Sequence, residues 1–383
     1  MPWQREEPGD VQALRVLAAE VRAAFPNLTS SRDLEWTAVE HGWPDKQLAI
    51  LIEREGGRIV GFVAVQIGNT EIGAAIAGFT PFRFAARQFR IIEDIAVAET
   101  RGPESKVACL AFLSTLMRPG DVVLVSAAAV GGALHERLIG GVRRWFHALR
   151  WGPPKINCQI RWRGSYEAYL ASLGKVSRKD MRRSARALFG DTSLRSEVKT
   201  FRTPAEAEIF LRDGMTISDK TYQRNDLGLG IFVGGNAERA IRFAASVDGL
   251  RASILYVNGA PAAFEYGFVW GGVCVMKQAG YDPAWAAHQV GAVLFGEFIR
   301  GCEQDPRTIR SFDLMPGLSV FKLRTTNERV PVQHFLLFPR SLVGATRYAA
   351  LRAVMSLAAI GRRLLGRESD DEVAKYKGAH SGR

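Results

Sequence analysis

A single acidic residue interrupts an apolar segment in the second half of the chain. Glu265 lies within Ala262–Phe268, which is apolar and β-prone and predicts a strand. Alternation along a strand puts Glu265 on the face opposite Phe264 and Tyr266. If that face is buried, loss of hydration raises the pKa of the carboxyl towards neutrality, where it suits a general base. If the face is exposed, Glu265 is an ordinary solvent-facing strand residue.

Two further side chains near the ends of predicted strands could take part in chemistry. Asp313 lies at the end of the predicted strand Ser311–Leu314, where it could orient an amine or form an ion pair with Lys322 or an arginine. Tyr281 or Tyr266 could serve as a general acid, because a positioned phenol can donate its proton. Packing in the core is the alternative for both tyrosines.

A helix start after the next predicted strand offers backbone N–H groups to an anion. Val273–Ala279 predicts that strand, and Tyr281–Ala292 leads into Val293–Ile299, which is apolar with helical spacing. The first N–H groups of a helix lack partners within the helix and suit a pyrophosphate. The predicted anion site consists of Ala287, His288, Gln289, Val290, Gly291 and Ala292.

Basic side chains concentrate in the segment "GKVSRKDMRRSARAL". On a helix, Arg178, Arg182 and Arg186 fall at i, i+4 and i+8 and share one face. Like charges on one face repel each other, so a bound anion is one explanation and a solvated face is the other. The same choice between contact with phosphate and a solvated side chain applies to Lys277 and Lys322, and His288 is either a contact of the anion or a bystander.

The bulk composition sets wide limits on the function. The formal net charge is +12 and the isoelectric point is about 9.8, which favours nucleotide phosphates, RNA or an anionic membrane surface unless the whole proteome is basic. The four cysteines have no metal-ligand or disulfide-framework spacing, so we predict reduced thiols in a cytoplasmic protein and no metal site. Neither an apolar run of about 18 residues nor a signal peptide is found in the sequence.

An internal repeat predicts two copies of one α/β domain. "LAILIEREGGRIVGFVAV" and "ASILYVNGAPAAFEYGFV" both read as strand, glycine turn, strand, and Asn258-Gly259 is a strong hairpin signal. Trp151–Pro154 suggests the boundary between the copies. We predict domains over 1–152 and 153–340, a C-terminal helix over 341–366 and a disordered tail over 367–383.

The remaining elements follow from periodicity, caps and turn residues. Helices are predicted at Val11–Phe25, Ser31–Glu40 with Ser31 as the N-cap, Glu104–Met117, Ala133–Leu149, Ser165–Leu173, Thr203–Tyr222, Asn236–Val247 and Leu342–Leu365. Strands are predicted at Leu48–Glu53, Ile59–Ile67, Ile72–Gly78, Val122–Val125, Ile156–Trp162, Leu194–Phe201, Ile254–Val257 and Val332–Phe338. Gln223–Val233 predicts a mobile loop, and Leu342–Leu365 reads either as a docking helix or as a membrane-surface helix.

Four segments together resemble a known family. "LGKVSRKDMRRSARAL", "NGAPAAFEYGF", "AGYDPAWAAHQVGAVLFGEFIR" and "FDLMPGLSVFKLR" are similar in order and spacing to GNAT-fold acyltransferases. The closer similarity is to the branch related to FemAB-type transferases and CelD-like proteins, with a BioF2-like acetyltransferase domain. The resemblance covers roughly residues 160–338, and a weaker, collinear resemblance to a degenerate GNAT copy covers 30–150.

The resemblance implies tandem GNAT-like domains, each a mixed, mostly antiparallel sheet flanked by helices. It implies that the second copy binds acyl-CoA or an aminoacyl donor and passes the acyl group directly to an amine or hydroxyl. The pyrophosphate would lie on Ala286–Ala292, and the thioester arm would lie along the third strand, at Val275, Lys277 and Ala279. Arg178, Arg182 and Lys322 would then hold an anionic donor or acceptor.

Departures from the family pattern keep three functions open. Gln289–Ala292 only partly matches the usual loop Q/R-x-x-G-x-G/A, and Leu318, Ser319 and Phe321 replace the acids and the tyrosine of relatives. The first function is acyl transfer to an amino sugar or a cell-envelope or polysaccharide precursor, in the cytoplasm or at the inner membrane face. The second is aminoacyl-tRNA-dependent transfer of the FemAB type. The third is a non-catalytic scaffold of a polysaccharide biosynthesis complex.

Overall fold

The computed structural model describes residues 2–76, 79–221, 235–305 and 307–364. The strands are β1 (Trp3–Glu6), β2 (Leu48–Glu55), β3 (Arg58–Ile76), β4 (Phe79–Ile92), β5 (Ala96–Val97), β6 (Val122–Ala129), β7 (Phe146–Arg161), β8 (Ser196–Phe201), β9 (Leu250–Val257), β10 (Ala260–Trp270), β11 (Val273–Tyr281), β12 (Ser311–Pro316) and β13 (Glu328–Pro339). The α-helices are α1 (Val11–Ala24), α2 (Leu34–His41), α3 (Glu104–Thr115), α4 (Ala133–Gly140), α5 (Tyr166–Ser172), α6 (Lys175–Phe189), α7 (Pro204–Ser218), α8 (Asn236–Ser246), α9 (Val290–Gly301), α10 (Val320–Thr325) and α11 (Leu342–Leu364).

The chain divides into two compact units. The first unit contains the described residues of Met1–Pro26, Ser31–Ile156 and Val330–Arg383, and the second contains Asn27–Ser30 and those of Asn157–Arg329. This division by contacts differs from the predicted domains 1–152 and 153–340, which stay a prediction.

The sheet of the first unit runs in the order β1-β2-β3-β4-β6-β13. Its pairs are antiparallel except β4 with β6, which is parallel. Its core joins strand residues such as Leu51, Val65 and Phe89 to Leu110 of α3 and Leu138 of α4. Burial of these apolar side chains is the main force that holds the unit together.

The sheet of the second unit runs from the end of β7 in the order β7-β12-β11-β10-β9-β8. The pair of β11 with β12 is parallel, and the other pairs are antiparallel. One face packs Phe264 and Tyr266 against Phe210 of α7, and the opposite face packs Leu255 and Ala263 against α9 and α6. The central strands β9 and β10 are therefore covered on both faces.

The two units repeat the same strand order, as the sequence predicts. In each, two antiparallel pairs (β2-β3-β4 and β9-β10-β11) are followed by one parallel pair (β4-β6 and β11-β12). A helix connects the strands of each parallel pair, α3 in the first unit and α9 in the second. The hairpin at Asn258-Gly259 is confirmed, with both residues at positive φ.

Several local predictions are wrong for identifiable reasons. The predicted helix Ala133–Leu149 ends at Gly140, where Gly141 is the C-cap, and its last residues belong to β7, which also contains the predicted boundary Trp151–Pro154. The described part of the predicted strand Ile72–Gly78 is instead the end of β3, and the next strand, β4, was not predicted. The N-cap of α2 is Asp33 and not Ser31. The predicted loop Gln223–Val233 and tail 367–383 lie outside the described residues.

A buried ion pair ties β9 to the segment that follows α9. Arg251 Nη2 donates to Asp305 Oδ1 at 2.7 Å, and Arg251 Nε contacts Asp305 Oδ2; both side chains are almost fully buried. Burial alone would raise the pKa of Asp305, but hydrogen bonds from Arg251 and from the Arg307 amide lower it. Asp305 therefore remains ionised, and its charge depends on Arg251 for compensation.

We predict that Arg251→Met destabilises the protein by about 3–5 kcal/mol, because it leaves the buried Asp305 carboxylate with only the partly exposed Arg202, 3.5 Å away, as a cationic partner among the described residues. Urea denaturation at neutral pH measures the change. The double variant Arg251→Met/Asp305→Leu should recover much of the loss, since it removes both charges. Equal stability of the single and double variants would show that Asp305 does not need Arg251.

Candidate functional site

The start of α9 forms a distinct turn of backbone. Pro283–His288 is a 3₁₀-helix, Gln289 adopts a left-handed conformation (φ 53°), and α9 begins at Val290. Gly291 and Ala292 therefore lie in the first turn of α9 and not in the preceding loop. By helix geometry the amides of this first turn point away from the helix without a carbonyl one turn earlier to bond. The predicted anion site thus spans the end of the 3₁₀-helix and the first turn of α9, and anion binding there stays a prediction.

A cavity of about 360 Å³ opens at this helix start. Its lining includes Gln289 and Ala292 from the start of α9 and Phe321 and Arg324 from α10. Ser184 of α6 also lines it and donates from Oγ to Gln289 Oε1 at 2.7 Å. This bond fixes the side chain of the left-handed residue against α6. The helix start is therefore held in place and accessible to a ligand.

The sheet opens beside the same helix start. The parallel pairing of β11 with β12 covers only Val273↔Ser311, Cys274↔Phe312 and Val275↔Asp313. Beyond Val275, β11 continues to Tyr281 paired with β10, with a register shift between Met276 and Gln278, and no further β12 partner is found among the described residues. The outer edge of residues 278–281 is therefore not covered by β12 and could offer backbone N–H and C=O groups to a ligand. In the first unit the parallel pair instead continues to Ile92, the last residue of β4.

Glu265 is buried, as the first of the two expectations required. Its exposed fraction is 6%, and it lies opposite Ser253 of β9 and Ala279 of β11 in the sheet register. Burial raises the pKa of Glu265 to about 8. At neutral pH the carboxyl is therefore mostly protonated, and it becomes a proton acceptor as the pH approaches 8.

The Tyr169 hydroxyl and the Cys274 thiol lie close enough to Glu265 for its charge to affect their pKa values. Burial raises the pKa of the Tyr169 hydroxyl and of the Cys274 thiol, and in each case the Glu265 carboxylate adds to the rise. The Tyr169 hydroxyl donates to the Thr325 carbonyl at 2.8 Å.

Tyr266 is a core residue. Its side chain is buried, and its hydroxyl donates to Gln278 Oε1 at 3.2 Å.

Tyr281 lies against the start of α9. A Cβ atom placed on Gly291 would be 3.2 Å from Cδ1 of Tyr281, so the ring packs directly on the glycine. The side chain is 37% exposed, which leaves it open to solvent. The structure thus brings Tyr281 together with the predicted anion site.

Asp313 accepts hydrogen bonds from three groups of its own and the neighbouring strand, and its predicted role at the site stays a prediction. Its Oδ2 accepts from Asn157 at 2.9 Å and from Gln159 at 3.1 Å, and its Oδ1 accepts from the Met315 amide at 2.7 Å. These bonds join β12 to β7 and use both carboxylate oxygens. Oδ1 accepts a single one of these bonds, so it could accept one more from an amine.

Two predicted phosphate contacts are committed elsewhere. The Lys277 ammonium lies 5.3 Å from the centroid of the Phe268 ring, on the face that packs against α7, whereas α9 lies on the other face. Lys322 Nζ donates to the Met315 carbonyl at 2.9 Å, which joins α10 to the end of β12. Both side chains therefore have contacts within the protein, and their contact with a phosphate stays a prediction.

Some of the other predicted donor contacts are buried, and some are exposed. Val275 is buried and paired on both sides, so its backbone is not available to a thioester arm. Ala279 is exposed beside Glu265 on the open edge of β11. Ala287 is exposed in the 3₁₀-helix, and the His288 ring lies 5.7 Å from that of Trp285. Val290 is fully buried, so only its backbone could contact a ligand.

The basic segment forms α6 and lines a groove of about 740 Å³. The lining is Lys175, Arg178, Lys179, Arg182, Arg183, Arg186 and Ala187. The cations repeat at intervals of three and four residues, so they share one face of the helix. Arg182 is paired with Glu167 and Arg183 with Asp180, which partly offsets the charge. Arg183 also lines the cavity at the start of α9.

Sequence reasoning missed α10 and the role of Ser184. Ser319 caps α10 by accepting from the Lys322 amide, and a serine three residues before this amide was the available signal. Phe321 packs edge-on against Phe295 of α9, with ring centroids 5.0 Å apart. The residue that replaces a tyrosine of relatives therefore lies in the wall of the cavity. No sequence pattern indicates the contact from Ser184 to Gln289, which depends on how α6 packs on α9.

Comparison with known proteins agrees with this geometry. Residues 175–323 match the family described as acetyltransferase (GNAT) domain. The matched segment covers less than half of the chain and lies within the second unit. No curated protein sequence matches the chain.

Three solved structures illustrate this fold over most of the chain. FemX has a TM-score of 0.57 at 8% identity, covering 88% of this chain and 97% of its own. The C-terminal domain of a protein assigned as a lysylphosphatidylglycerol synthetase from Agrobacterium fabrum has a TM-score of 0.51 at 14% identity, and the match covers 89% of this chain and 96% of that one. A tandem GNAT protein from the clavulanic acid biosynthesis pathway has a TM-score of 0.50 at 13% identity, and the match covers 88% of this chain and 98% of that one. The chain thus has tandem GNAT-like domains of mixed α/β structure.

Two absences concern only the part of the chain that the structure describes. Within it, no three His, Cys, Asp or Glu side chains come together as a metal site. Within the same residues, no helix has the length and apolar character needed to span a membrane. All four cysteines are buried and free.

We predict that Glu265→Gln removes a pH dependence of stability. Because the folded-state pKa of Glu265 is raised above that of the unfolded chain, protonation favours the folded state. This contribution is full below the unfolded pKa near 4.3 and is lost as the pH rises through about 8, with a slope of at most about 1.4 kcal/mol per pH unit.

Urea denaturation of the wild type and Glu265→Gln at pH 4.5 and pH 9 measures this effect. The variant should gain stability relative to the wild type at the higher pH. Glu197→Gln, which changes an exposed carboxylate in the same unit, serves as the control. Parallel stability curves for Glu265→Gln and the wild type would contradict the raised pKa.

Proposed function

We propose that the second unit is an acyltransferase that moves an acyl group from acyl-CoA to an amine. The observation that carries this proposal is the open edge of β11 beside the first turn of α9. Such an arrangement offers one set of backbone groups to a diphosphate and another to an extended thioester arm. In the first unit the corresponding strand pair stays closed, so we assign donor binding to the second unit.

The first turn of α9 would hold the diphosphate of the donor. The amides of Val290, Gly291 and Ala292 are directed away from the helix, and the helix dipole favours a negative group there. The thioester arm would lie along residues 276–281 of β11 and bring the acyl carbon towards Ala279, which is opposite Glu265. Backbone N–H groups of the open edge would then be available to the developing oxyanion.

Glu265 would act as the general base in this proposal. The incoming amine attacks the thioester carbon, the C–N bond forms, the C–S bond breaks, and the amine proton passes to the carboxylate. A pKa of about 8 suits this step because the carboxylate is more basic than an exposed glutamate. The thiolate would take its proton from Tyr281, which lies against the start of α9, or from water.

We propose an amino sugar or another amine of a cell-envelope or polysaccharide precursor as the acceptor, which the FemAB-related and CelD-like resemblance implies. Arg178 and Arg182 on the basic groove could hold an anionic precursor. Since acyl-CoA is a cytoplasmic donor, we place the reaction in the cytoplasm. Contact with the inner membrane face would suit α11, whose Leu342, Leu357 and Ile360 are exposed.

Replacement of Gly291 by leucine should weaken CoA binding by at least tenfold. The new Cβ would approach the Tyr281 ring to 3.2 Å, and the side chain would displace either the ring or the diphosphate. Isothermal titration calorimetry with CoA measures the affinity. Gly301→Leu is the matched control, because a Cβ at Gly301, the last residue of α9, meets nothing within 4 Å.

Unchanged affinity in Gly291→Leu would place the donor elsewhere. Failure of the wild type to bind any acyl-CoA, or to carry a CoA species through purification in native mass spectrometry, would overturn the proposal. That result would favour the scaffold function.

The groove on α6 favours a second candidate, an aminoacyl-tRNA-dependent transferase. Six cations face this groove, and Arg183 joins it to the cavity at the start of α9. The residues from Lys175 to Arg186 span about 17 Å at the helical rise of about 1.5 Å per residue. A stripe of this length can follow several phosphates of a nucleic-acid backbone.

Charge reversal on α6 separates the two candidates. If the donor is aminoacyl-tRNA, the triple variant Arg178→Glu/Arg182→Glu/Arg186→Glu should reduce the slope of log affinity against log salt by about 0.7 per lost phosphate contact. Filter binding with charged tRNA measures it, and Arg58→Glu/Arg83→Glu/Arg143→Glu matches the charge change in the first unit. Equal slopes for both triple variants would remove the tRNA candidate.

A further inference from the structure

A second cavity, of about 600 Å³, lies wholly within the first unit. One wall is the inner side of α11 near Met355, Ala358 and Ala359, and the other comes from residues 73–75 of β3 and 151–155 of β7. The volume is within the range of about 300–1,000 Å³ that small-molecule sites occupy. Most of the lining consists of small side chains, which leaves a smooth apolar channel.

Two of the described residues that line this cavity have ionisable side chains. Lys155, an exposed residue, brings an ammonium group, and His334 brings an imidazole. His334 Nδ1 accepts from the Ala127 amide at 3.0 Å, so the ring offers a donor at Nε2. Burial lowers the pKa of His334, and the positive charges of Lys155 and Arg90 lower it further.

None of the described residues that line the cavity is acidic. A ligand that is apolar throughout would displace water from the partly buried His334 ring without replacing its hydrogen bond, which costs free energy, and would leave the Lys155 charge to solvent. A small inorganic anion would satisfy both side chains but would leave the apolar wall in contact with water. The apolar wall along α11 and the positions of Lys155 and His334 are therefore complementary to a ligand that is apolar at one end and anionic at the other.

We infer that this cavity binds a single acyl chain that ends in an anionic group, with the chain along α11 and the head at Lys155 and His334. A free fatty acid and a lysophospholipid share this chemistry. The inference does not depend on the transferase function, since no residue of the second unit lines the cavity. It assigns a lipid-binding role to the unit whose sheet lacks the open edge.

Calorimetric titration with fatty acids of ten, twelve and fourteen carbons, each below its micelle concentration, tests the inference. Each added methylene should tighten binding about fourfold if the chain is buried. Ala359→Trp fills the channel and should weaken binding at least tenfold. Lys155→Glu, at an exposed position that should not disturb folding, should weaken it to a similar extent. Arg58→Glu changes an exposed charge outside the cavity in the same unit and should have no effect.

The comparison of ligands identifies the source of the anionic head. Tighter binding of a lysophosphatidylglycerol than of the fatty acid with the same chain would identify a phospholipid, and the reverse order would identify the free acid. Affinity that does not change with chain length, or that survives both Ala359→Trp and Lys155→Glu, would overturn the inference. Competition by inorganic phosphate as strong as that by the amphiphile would do the same.

Discussion

The end of pairing between β11 and β12 is the constraint on which the candidate site depends. A strand that loses its neighbour within a sheet leaves N–H and C=O groups that need another partner. Here the pairs with β12 end at Val275, whereas β11 continues to Tyr281, whose ring lies against the first turn of α9. The end of β11 that β12 does not cover and the start of α9 are therefore adjacent along the chain. One extended ligand with a diphosphate end could contact both.

Burial of Glu265 has a cost that the surrounding structure does not offset. Its pKa is raised by desolvation, and no cation among the described residues compensates the ionised form. By contrast, Asp305 is also buried, but Arg251 keeps it ionised through two hydrogen bonds. The same unit thus contains one carboxylate stabilised as an anion and one held near neutrality. Only the second can exchange a proton with a substrate near physiological pH.

The sequence was most informative where period and turn chemistry agreed. Asn258-Gly259 fixed a hairpin, and alternation placed Glu265 away from Phe264 and Tyr266, as the structure has it. It was misleading where an apolar pattern passed through glycines: Gly140 and Gly141 end α4, although the spacing suggests a longer helix. Contacts between distant segments had no local signal. The bonds from Asn157 and Gln159 that occupy Asp313 cross more than 150 positions of sequence.

The difference between the two copies follows from how far each parallel pair extends. In the first unit β4 pairs with β6 through five positions up to its last residue, so the edge that could take a thioester arm is closed. In the second unit only three residue pairs form between β11 and β12. The side chain of Asp313, in the last of them, accepts hydrogen bonds from the side-chain amides of Asn157 and Gln159 in β7. Because β12 is held by β7, it does not follow β11 to the end of the strand. The separation of these strands is thus fixed by the fold itself, and a ligand would find the open edge already formed.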